Sequence, residues 1–266
     1  MRRLRFLKLG GSAITDKTRE AIAQEDVIRR VAVQVKQARE TNPALSLVLG
    51  HGSGSFGHFA AKKFGYGQPN NWRAYAETGA AAARLNRIVT DAFLAAGMPV
   101  VTMQPSASAC CRDGELVELA VEPIRAALAH SLIPLVYGDV AFDEVRGRAI
   151  ISTETQFAYL APILKPQQII LAGMVEGVFT SDPFKDTAAE LIREITPGTL
   201  PQIESQLRGS HGVDVTGGMM AKVKGMVALV QREPTLRVHI ISALREGMIE
   251  RALTQEDFSE GTIIHA

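Results

Sequence analysis

Short, mainly apolar runs alternate with longer stretches of helical periodicity along the chain. Each run spans five or six residues, which is the length of a strand rather than of a helix. Continuous apolar runs are typical of strands that are covered on both faces of a parallel sheet. The predicted strands are Leu4–Leu9, Leu45–Leu49, Pro99–Met103, Ile133–Tyr137, Gln168–Ala172 and Arg237–Ser242.

Helical patterns fill the segments between these strands. They predict the helices Asp26–Glu40, Asn71–Ala96, Val121–Ala129, Glu154–Leu164, Met219–Gln231 and Arg245–Leu253. Strands joined by helices form right-handed βαβ units, so we predict an α/β protein with an open, mainly parallel sheet between helices. The length of 266 residues suits a single domain, 1–266, with a lobe boundary near Lys165–Pro166 that separates residues 1–165 from 166–266.

Composition and charge are those of an ordinary globular protein. Hydrophobic residues make up 46% and charged residues 21% of the chain, and the formal net charge is +1. This balance gives no reason to expect nucleic acid or a membrane surface as a partner. Cys110 and Cys111 are the only cysteines and are adjacent, so no intrachain disulfide framework is expected. Because the basic start lacks the long apolar segment of a signal peptide, we predict a cytoplasmic protein.

Glycine and polar residues follow the predicted strands, where open α/β sheets bind ligands. The first strand is followed by Gly10, Gly11 and Ser12, and two glycines let main-chain N–H groups approach an anion closely. The same residues would equally suit a plain tight turn. Lys8 lies inside the strand, where an ammonium group needs an anionic partner such as a carboxylate or a ligand phosphate. Lys17 lies just beyond the turn and, taken alone, resembles an ordinary exposed lysine.

The loop after the second strand has the spacing Gly52-x-Gly54-x-x-Gly57, which matches a dinucleotide-binding fingerprint. That fingerprint expects an acidic residue about 20 positions on, at the end of a strand, whereas Glu77 falls in a predicted helix. A phosphate-binding loop at a helix N-terminus is therefore the better interpretation. His58 then falls in the first turn of a short helix, where a neutral imidazole can donate to a phosphate oxygen. A buried structural histidine is the competing interpretation.

Another glycine pair precedes a later helix. Thr216, Gly217 and Gly218 lie just before Met219, and Lys222 follows one turn inside the helix. A plain N-cap is the simpler explanation for the threonine. The Gly-x-x-x-x-Gly-Lys-Ser/Thr pattern does not occur, so the chain is not a P-loop protein. Taken together, three separate lysine and glycine sites indicate a phosphoryl donor and acceptor bridged by cations.

These motifs resemble the amino acid kinase superfamily. The resemblance rests on Lys8-Leu-Gly-Gly-Ser12, the glycine loop, Gly138-Asp139 and Thr216-Gly-Gly. His51-Gly-Ser-Gly-Ser-Phe-Gly-His58 and Gln104-Pro-Ser106 narrow it to the isopentenyl phosphate kinase family, over nearly the whole chain. The resemblance implies an open αβα sandwich, a homodimer and direct in-line transfer from ATP, with Mg²⁺, to isopentenyl phosphate. It also implies a place in isoprenoid biosynthesis through a mevalonate pathway.

The same resemblance implies the roles of individual residues. Lys8 and Lys222 match lysines that contact ATP phosphates, and Lys17 matches the lysine that stabilises charge on the moving phosphoryl group. His58 matches the histidine that holds the acceptor phosphate. The predicted catalytic set is Lys8, Lys17, His58, Glu154 and Lys222. Predicted acceptor-binding residues are Ser53, Gly57, His58, Gly138, Asp139 and Thr153. Predicted ATP-binding residues are Lys8, Gly10, Gly11, Ser12, Gly54, Glu176, Gly217, Gly218 and Lys222, and no residue is predicted to bind a metal directly.

The chain departs from the family pattern at three places. The family often has Ser-Gly-Asp-Asp where this chain has Ser152-Thr-Glu-Thr155. Glu154 then replaces an aspartate that orients the lysines, and Thr153 replaces an acceptor-binding glycine. The nucleotide-side pattern Thr-Asp-Val-Asp-Gly becomes Gly173-Met-Val-Glu-Gly177, which leaves Glu176 as its acid. Ser53 stands where glycine is usual.

Two questions stay open at the level of sequence. The alanine-rich stretch Ala76–Ala83 either packs closely against its neighbours or leaves room for longer prenyl monophosphates. The nearest alternative function is a fosfomycin kinase, which resembles this family and shares a phosphonate-holding histidine. A carboxylate kinase leaves His58 unexplained, and a non-catalytic nucleotide-binding protein leaves the three lysines unexplained. A dehydrogenase is disfavoured, because this chain lacks the acidic residue that the dinucleotide-binding fingerprint expects at the end of a strand.

Overall fold

The structure, a computed structural model, describes the backbone of residues 3–209 and 215–266 and the side chains of 3–205 and 218–266. Its strands are β1 (Arg3–Leu9), β2 (Leu45–His51), β3 (Val100–Thr102), β4 (Cys110–Arg112), β5 (Glu115–Glu118), β6 (Ile133–Tyr137), β7 (Asp139–Asp143), β8 (Gly147–Ile151), β9 (Gln168–Gly173), β10 (Val178–Phe179), β11 (Leu191–Ile192), β12 (Glu194–Ile195), β13 (Arg237–Ser242) and β14 (Thr262–Ile264). Its helices are α1 (Gly11–Ile14), α2 (Glu25–Thr41), α3 (Gly54–Lys63), α4 (Trp72–Ala95), α5 (Glu122–Ala129), α6 (Thr153–Leu164), α7 (Leu200–Gly209), α8 (Val215–Arg232) and α9 (Met248–Thr254).

An eight-stranded sheet runs through the centre of the molecule, in the order β12-β14-β13-β9-β1-β2-β6-β3. β1 pairs in parallel with both β2 and β9. Parallel pairing continues outward to β13 on one side and to β6 and β3 on the other. β14 runs antiparallel to β13 near one edge. The predicted open, mainly parallel α/β sheet is therefore confirmed.

Two hydrophobic cores lie on opposite faces of this sheet. Successive side chains of a strand point to opposite faces, so Leu7 joins one core and Phe6 joins the other. The first core is closed mainly by α2, α4 and α9, and the second mainly by α6 and α8. The Phe6 ring centroid lies 4.9 Å from that of Phe157 on α6. Burial on both faces explains the continuous apolar runs of the sequence.

All six predicted helices are present, and two of them begin elsewhere than predicted. α8 begins at Val215 rather than Met219, so Thr216 and the glycine pair lie in its first turn instead of preceding the helix. The last begins at Met248 rather than Arg245, because Gly247 takes a positive φ of 67° and breaks the helical path just before it. The short helix after β2 also begins earlier than predicted. Since α3 starts at Gly54, His58 lies in its second turn, and the prediction of a first-turn histidine is wrong. Within the described ranges, every helix is too short or too polar to cross a membrane.

A smaller four-stranded sheet, in the order β5-β4-β7-β8, was not predicted. Its strands have three to five residues, and most positions of β4, β5 and β8 are exposed or half-buried, so their apolar signal is weak. Asp143 holds the turns of both hairpins together, because its buried carboxylate accepts hydrogen bonds from the main-chain N–H groups of Asp113, Gly114, Val145 and Arg146. The β7–β8 hairpin begins directly after Gly138, at the carboxyl end of β6.

Candidate active site

A cavity of about 550 Å³ lies at the carboxyl ends of β1, β2 and β6, where a parallel sheet is expected to bind its ligand. Most of the predicted site residues line it. They are Lys8, Gly10, Gly11, Ser12, Lys17, Ser53, Gly54, Gly57, His58, Gly138, Asp139, Thr153, Glu154 and Lys222.

Two predicted ATP-binding residues that the structure describes, Glu176 and Gly218, do not line this cavity. Glu176 lies beyond β9, half-exposed, with a carboxylate oxygen 3.8 Å from Nη1 of Arg245. Gly218 is an exposed residue of α8. Gly217 lies in the first turn of α8, and it and Thr216 belong to the stretch whose side chains lie outside the described residues. Asp214 also lies outside them.

The first two glycine loops of the sequence pack directly against each other. A Cβ added to Gly11 would lie 2.5 Å from the main-chain N of Gly54, and φ of Gly54 is +52°. Thr15 ties the two turns, because its Oγ1 donates to the carbonyl of Gly11 at 2.7 Å and accepts from the N–H of Ser55 at 2.9 Å. The β1–α1 and β2–α3 turns thus form one surface of main-chain groups at the base of the cavity.

A cluster of three charged side chains, Lys8, Glu154 and Lys222, borders this surface. Lys8 forms a salt bridge with Oε1 of Glu154, and Nζ of Lys222 lies 3.8 Å from the same oxygen. The sequence left a carboxylate or a ligand phosphate as the partner of this buried lysine, and the structure supplies a carboxylate. Glu154 is positioned by the first turn of α6, whose N-cap Ser152 accepts a hydrogen bond from the N–H of Thr155 at 3.0 Å.

The pKa directions in this cluster follow from burial and charge. Burial favours the neutral form of Glu154, but the charges of Lys8 and Lys222 and the hydrogen bond from Lys8 outweigh it, so the pKa of Glu154 lies below its usual value. Burial, followed by the charge of Lys8, lowers the pKa of Lys222, although Glu154 opposes the shift. Two ammonium groups share one carboxylate, which leaves net positive charge to attract an anionic ligand.

Lys17 and His58 are exposed residues that face the same cavity from different elements. Lys17 follows α1, and His58 projects from α3 beyond the glycine turn. His58 is therefore not the buried structural histidine of the competing interpretation. His51 fits that description instead, because it is fully buried and its ring stacks on Tyr137 with centroids 5.6 Å apart.

Asp139 and Thr153 line the cavity with side chains that already have main-chain partners. Asp139 accepts hydrogen bonds from the N–H groups of Ser106, at 3.1 Å, and Val140, at 2.9 Å. Burial raises the pKa of Asp139 against the effect of these bonds. The buried hydroxyl of Thr153 donates to the carbonyl of His51 at 2.6 Å. Both residues shape the wall of the cavity, and direct acceptor binding by either one stays a prediction.

An apolar wall completes the cavity and was largely missed from the sequence. It comprises residues of α3, α4 and β8, namely Phe59, Ala61, Thr78, Ala82, Ile150 and Ile151. The helical spacing of Thr78 and Ala82 was the available signal, since residues four apart share one face of a helix. Ala81 packs in the core, as the first interpretation of the alanine-rich stretch expects, and its neighbour Ala82 lines the cavity. Room for longer prenyl monophosphates stays a prediction.

Over the part of the chain that the structure describes, no three His, Cys, Asp or Glu side chains gather into a metal site. In the cavity, Glu154 is paired with lysines and Asp139 accepts main-chain hydrogen bonds. A divalent cation bound here would therefore take most of its ligands from another source.

The sheet, the paired glycine turns and the lysine cluster are those of a phosphoryl-transfer enzyme. The profile of the amino acid kinase family matches residues 3–242. This match defines the class of the protein, a phosphotransferase of the amino acid kinase type.

Proteins similar to this chain narrow this class. The chain is 35% identical to the isopentenyl phosphate kinase of Methanothermobacter thermautotrophicus, over 95% of this chain and 96% of that protein. It is 30% identical to the isopentenyl phosphate kinase of Methanocaldococcus jannaschii, over 97% of this chain and all of that protein. A crystal structure of an isopentenyl phosphate kinase superimposes with a TM-score of 0.82 at 32% identity, covering 98% of this chain and 100% of the other. The chain belongs to the isopentenyl phosphate kinase family, as its motifs predicted.

Proposed function

We propose that this protein transfers the γ-phosphoryl group of ATP directly to isopentenyl phosphate, forming isopentenyl diphosphate. The observation that carries the proposal is the composition of one cavity. Positively charged lysines and glycine turns suited to phosphate groups share it with an apolar wall suited to a short hydrocarbon tail. Substrates with a phosphate head and a prenyl tail match both parts.

Catalysis in this proposal depends on positioning and on charge. Lys8 and Lys222 hold the phosphates of ATP, and Glu154 keeps the two ammonium groups apart and oriented. His58 donates a hydrogen bond to the acceptor phosphate, and Lys17 stabilises charge on the phosphoryl group in transfer. Because the acceptor is already an anion, no strong general base is needed, and alignment of the reacting groups provides most of the rate enhancement.

Magnesium enters with the nucleotide in this proposal. Since both cavity carboxylates are already engaged, ATP phosphates and water supply most of its ligands, which Mg²⁺ commonly retains. When bound, it neutralises phosphate charge next to the lysines. The geometry of the chain thus supports a MgATP substrate rather than a resident metal.

The two lobes predicted from the sequence bind different substrates in this proposal. Residues 1–165 carry the acceptor side, with Lys8 reaching toward ATP, and residues 166–266 carry most of the nucleotide side. The family resemblance further supports a homodimer in the cytoplasm. Sedimentation velocity on the purified protein would measure the predicted dimer.

An ADP-release assay with MgATP tests the proposed reaction. Isopentenyl phosphate, fosfomycin, acetylglutamate and no acceptor are compared, and the product mass is measured. Turnover with isopentenyl phosphate alone is the expected result, and turnover only with fosfomycin or acetylglutamate would contradict it. ATP binding without transfer to any acceptor would instead indicate a non-catalytic nucleotide-binding protein.

Dimethylallyl and geranyl phosphates extend the assay to tail length. Comparable turnover of both is expected if Ala82 and its neighbours leave room for longer tails. Complete rejection of geranyl phosphate would contradict that interpretation while leaving the phosphoryl transfer itself untouched.

A further inference from the structure

Arg148 on β8 makes an unusual set of contacts with the loop that joins α3 to α4. The guanidinium group donates to three main-chain carbonyls of that loop: Tyr66 at 2.7 Å, Asn71 at 2.5 Å, and Gln68. Its Cζ also lies 5.0 Å from the centroid of the Tyr66 ring and 5.7 Å from that of Trp72. One planar cation thus holds both ends of the loop.

The loop also donates a hydrogen bond to β8. The Tyr66 hydroxyl donates to the carbonyl of Ala149, the residue after Arg148, at 2.8 Å. Asn71 links the two ends of the loop, because its Nδ2 donates to the carbonyl of Phe64 at 2.7 Å and its Oδ1 accepts from the N–H of Ala74 at 3.1 Å. The contacts of Arg148 therefore join β8 to a loop that is itself braced at the start of α4.

The three elements that meet at this point are those that form the apolar wall of the cavity. α3 carries His58 and Phe59, α4 carries Thr78 and Ala82, and β8 continues from Arg148 to Ile150 and Ile151. We propose that Arg148 is a positioning residue for the acceptor side of the site: it sets the separation of α3, α4 and β8, and through them the placement of His58 and of the prenyl tail. The proposal rests on the proposed function only for the identity of the acceptor.

The chemistry of the contact favours arginine over other residues. A guanidinium group presents five N–H donors in one plane and stacks on aromatic rings, whereas lysine has a single nitrogen on a flexible stem. Lysine at this position would keep the charge but could not hold three separated carbonyls. Methionine would fill similar space and leave those carbonyls without the cation.

The test compares Arg148→Met and Arg148→Lys with the wild-type protein. Arg146→Met is the matched control, since Arg146 is an exposed arginine of the same hairpin whose side chain pairs with Asp113, 2.8 Å away. We expect Arg148→Met to raise the acceptor KM roughly tenfold with little change in the KM for ATP, as loss of a charge-assisted hydrogen bond would. Arg148→Lys should resemble Arg148→Met, and the control should resemble wild type.

A second measurement separates this proposal from the proposed function. Amide hydrogen exchange of the ligand-free protein should quicken over residues 64–71 in Arg148→Met and not in the control. KM is measured for whichever tested acceptor the wild-type protein phosphorylates, so failure with isopentenyl phosphate overturns the proposed function alone. An unchanged acceptor KM, an equal rise in both KM values, full rescue by lysine, or unchanged exchange would overturn the positioning role.

If Arg148→Met does not fold, Tyr66→Phe weakens the same junction between β8 and the α3–α4 loop at its other contact. It removes the hydroxyl that bonds to Ala149 and keeps the ring on which Arg148 stacks. A smaller rise in acceptor KM, again with little change for ATP, is expected. An acceptor KM equal to that of wild type would overturn the proposal.

Discussion

At the residue scale, the ammonium groups of Lys8 and Lys222 share the single carboxylate of Glu154. A buried lysine is costly without a partner, and Glu154 supplies that partner to Lys8 and Lys222 together. Glu154 lies 146 residues from Lys8 along the chain, so no local pattern could have paired them with certainty. The lysine inside a strand predicted the need for an anion, the family resemblance pointed to Glu154, and the fold brings this carboxylate to both lysines.

His58 offers the most direct test of an acceptor-binding residue. His58→Ala should raise the acceptor KM, lower kcat, or both, because a charge-assisted hydrogen bond to a phosphate is worth roughly 1.5–3 kcal/mol. Steady-state kinetics with varied acceptor measure the effect, with His130→Ala, at an exposed histidine after α5, as the control. Wild-type kinetics in His58→Ala would refute the role assigned to this imidazole.

Lys17 should behave differently, because its charge matters most in the transition state. Lys17→Ala is expected to lower kcat by about tenfold or more while changing the KM of either substrate little. The exposed Lys36 of α2 provides the control variant Lys36→Ala. A rise in KM at constant kcat would show instead that Lys17 contributes to ground-state binding.

At the scale of elements, the packing of two strand-to-helix turns against each other forms the surface of main-chain groups at the base of the cavity. Gly11 and Gly54 come from different turns, and their backbones approach too closely for a side chain between them. The sequence indicated two separate glycine loops. It could not show that they share one surface, because that contact follows from the pairing of β1 with β2.

Gly11→Ala tests this contact. A Cβ 2.5 Å from the N and 2.7 Å from the Cα of Gly54 must push the turns apart, so we expect kcat/KM to fall by at least roughly tenfold. Gly225→Ala on α8 is the matched control, since a Cβ there meets open space and alanine suits a helix better, worth about 0.5–1 kcal/mol of stability. Thermal melts accompany the kinetics, and wild-type kcat/KM in Gly11→Ala would contradict the close-contact argument.

At the scale of the whole molecule, two buried histidines link folding to pH. Burial lowers the pKa of His51 and of His239 from 6.5 to about 4, with the charge of Lys8 adding to the shift at His51 and that of Arg5 at His239. Below pH 6.5 the unfolded chain binds protons that the folded protein does not. The contribution of the two histidines to stability is therefore present above pH 6.5 and is lost as pH falls toward 4.

We therefore expect the free energy of unfolding to fall within this window by up to about 1.4 kcal/mol per pH unit for each histidine. His239→Leu should reduce that slope, whereas His130→Leu, at an exposed position, should leave it unchanged. Urea unfolding at pH 7.5, 6 and 5 measures the free energy of unfolding of each variant. Burial would raise the pKa of Asp143, but its main-chain hydrogen bonds outweigh burial and lower the pKa to about 2. The contribution of Asp143 to stability is therefore lost only at lower pH. An equal slope in His239→Leu and wild type would contradict this account.

The sequence by itself determined the central strands, the helices between them, and the glycine and lysine positions that line the cavity. These features follow from local periodicity and backbone freedom, which neighbouring residues encode. Tertiary structure alone decided the contact of Gly11 with Gly54 and the apolar wall drawn from α3, α4 and β8. Strand order and helix packing bring distant segments together, and no local pattern specifies which side chains then meet.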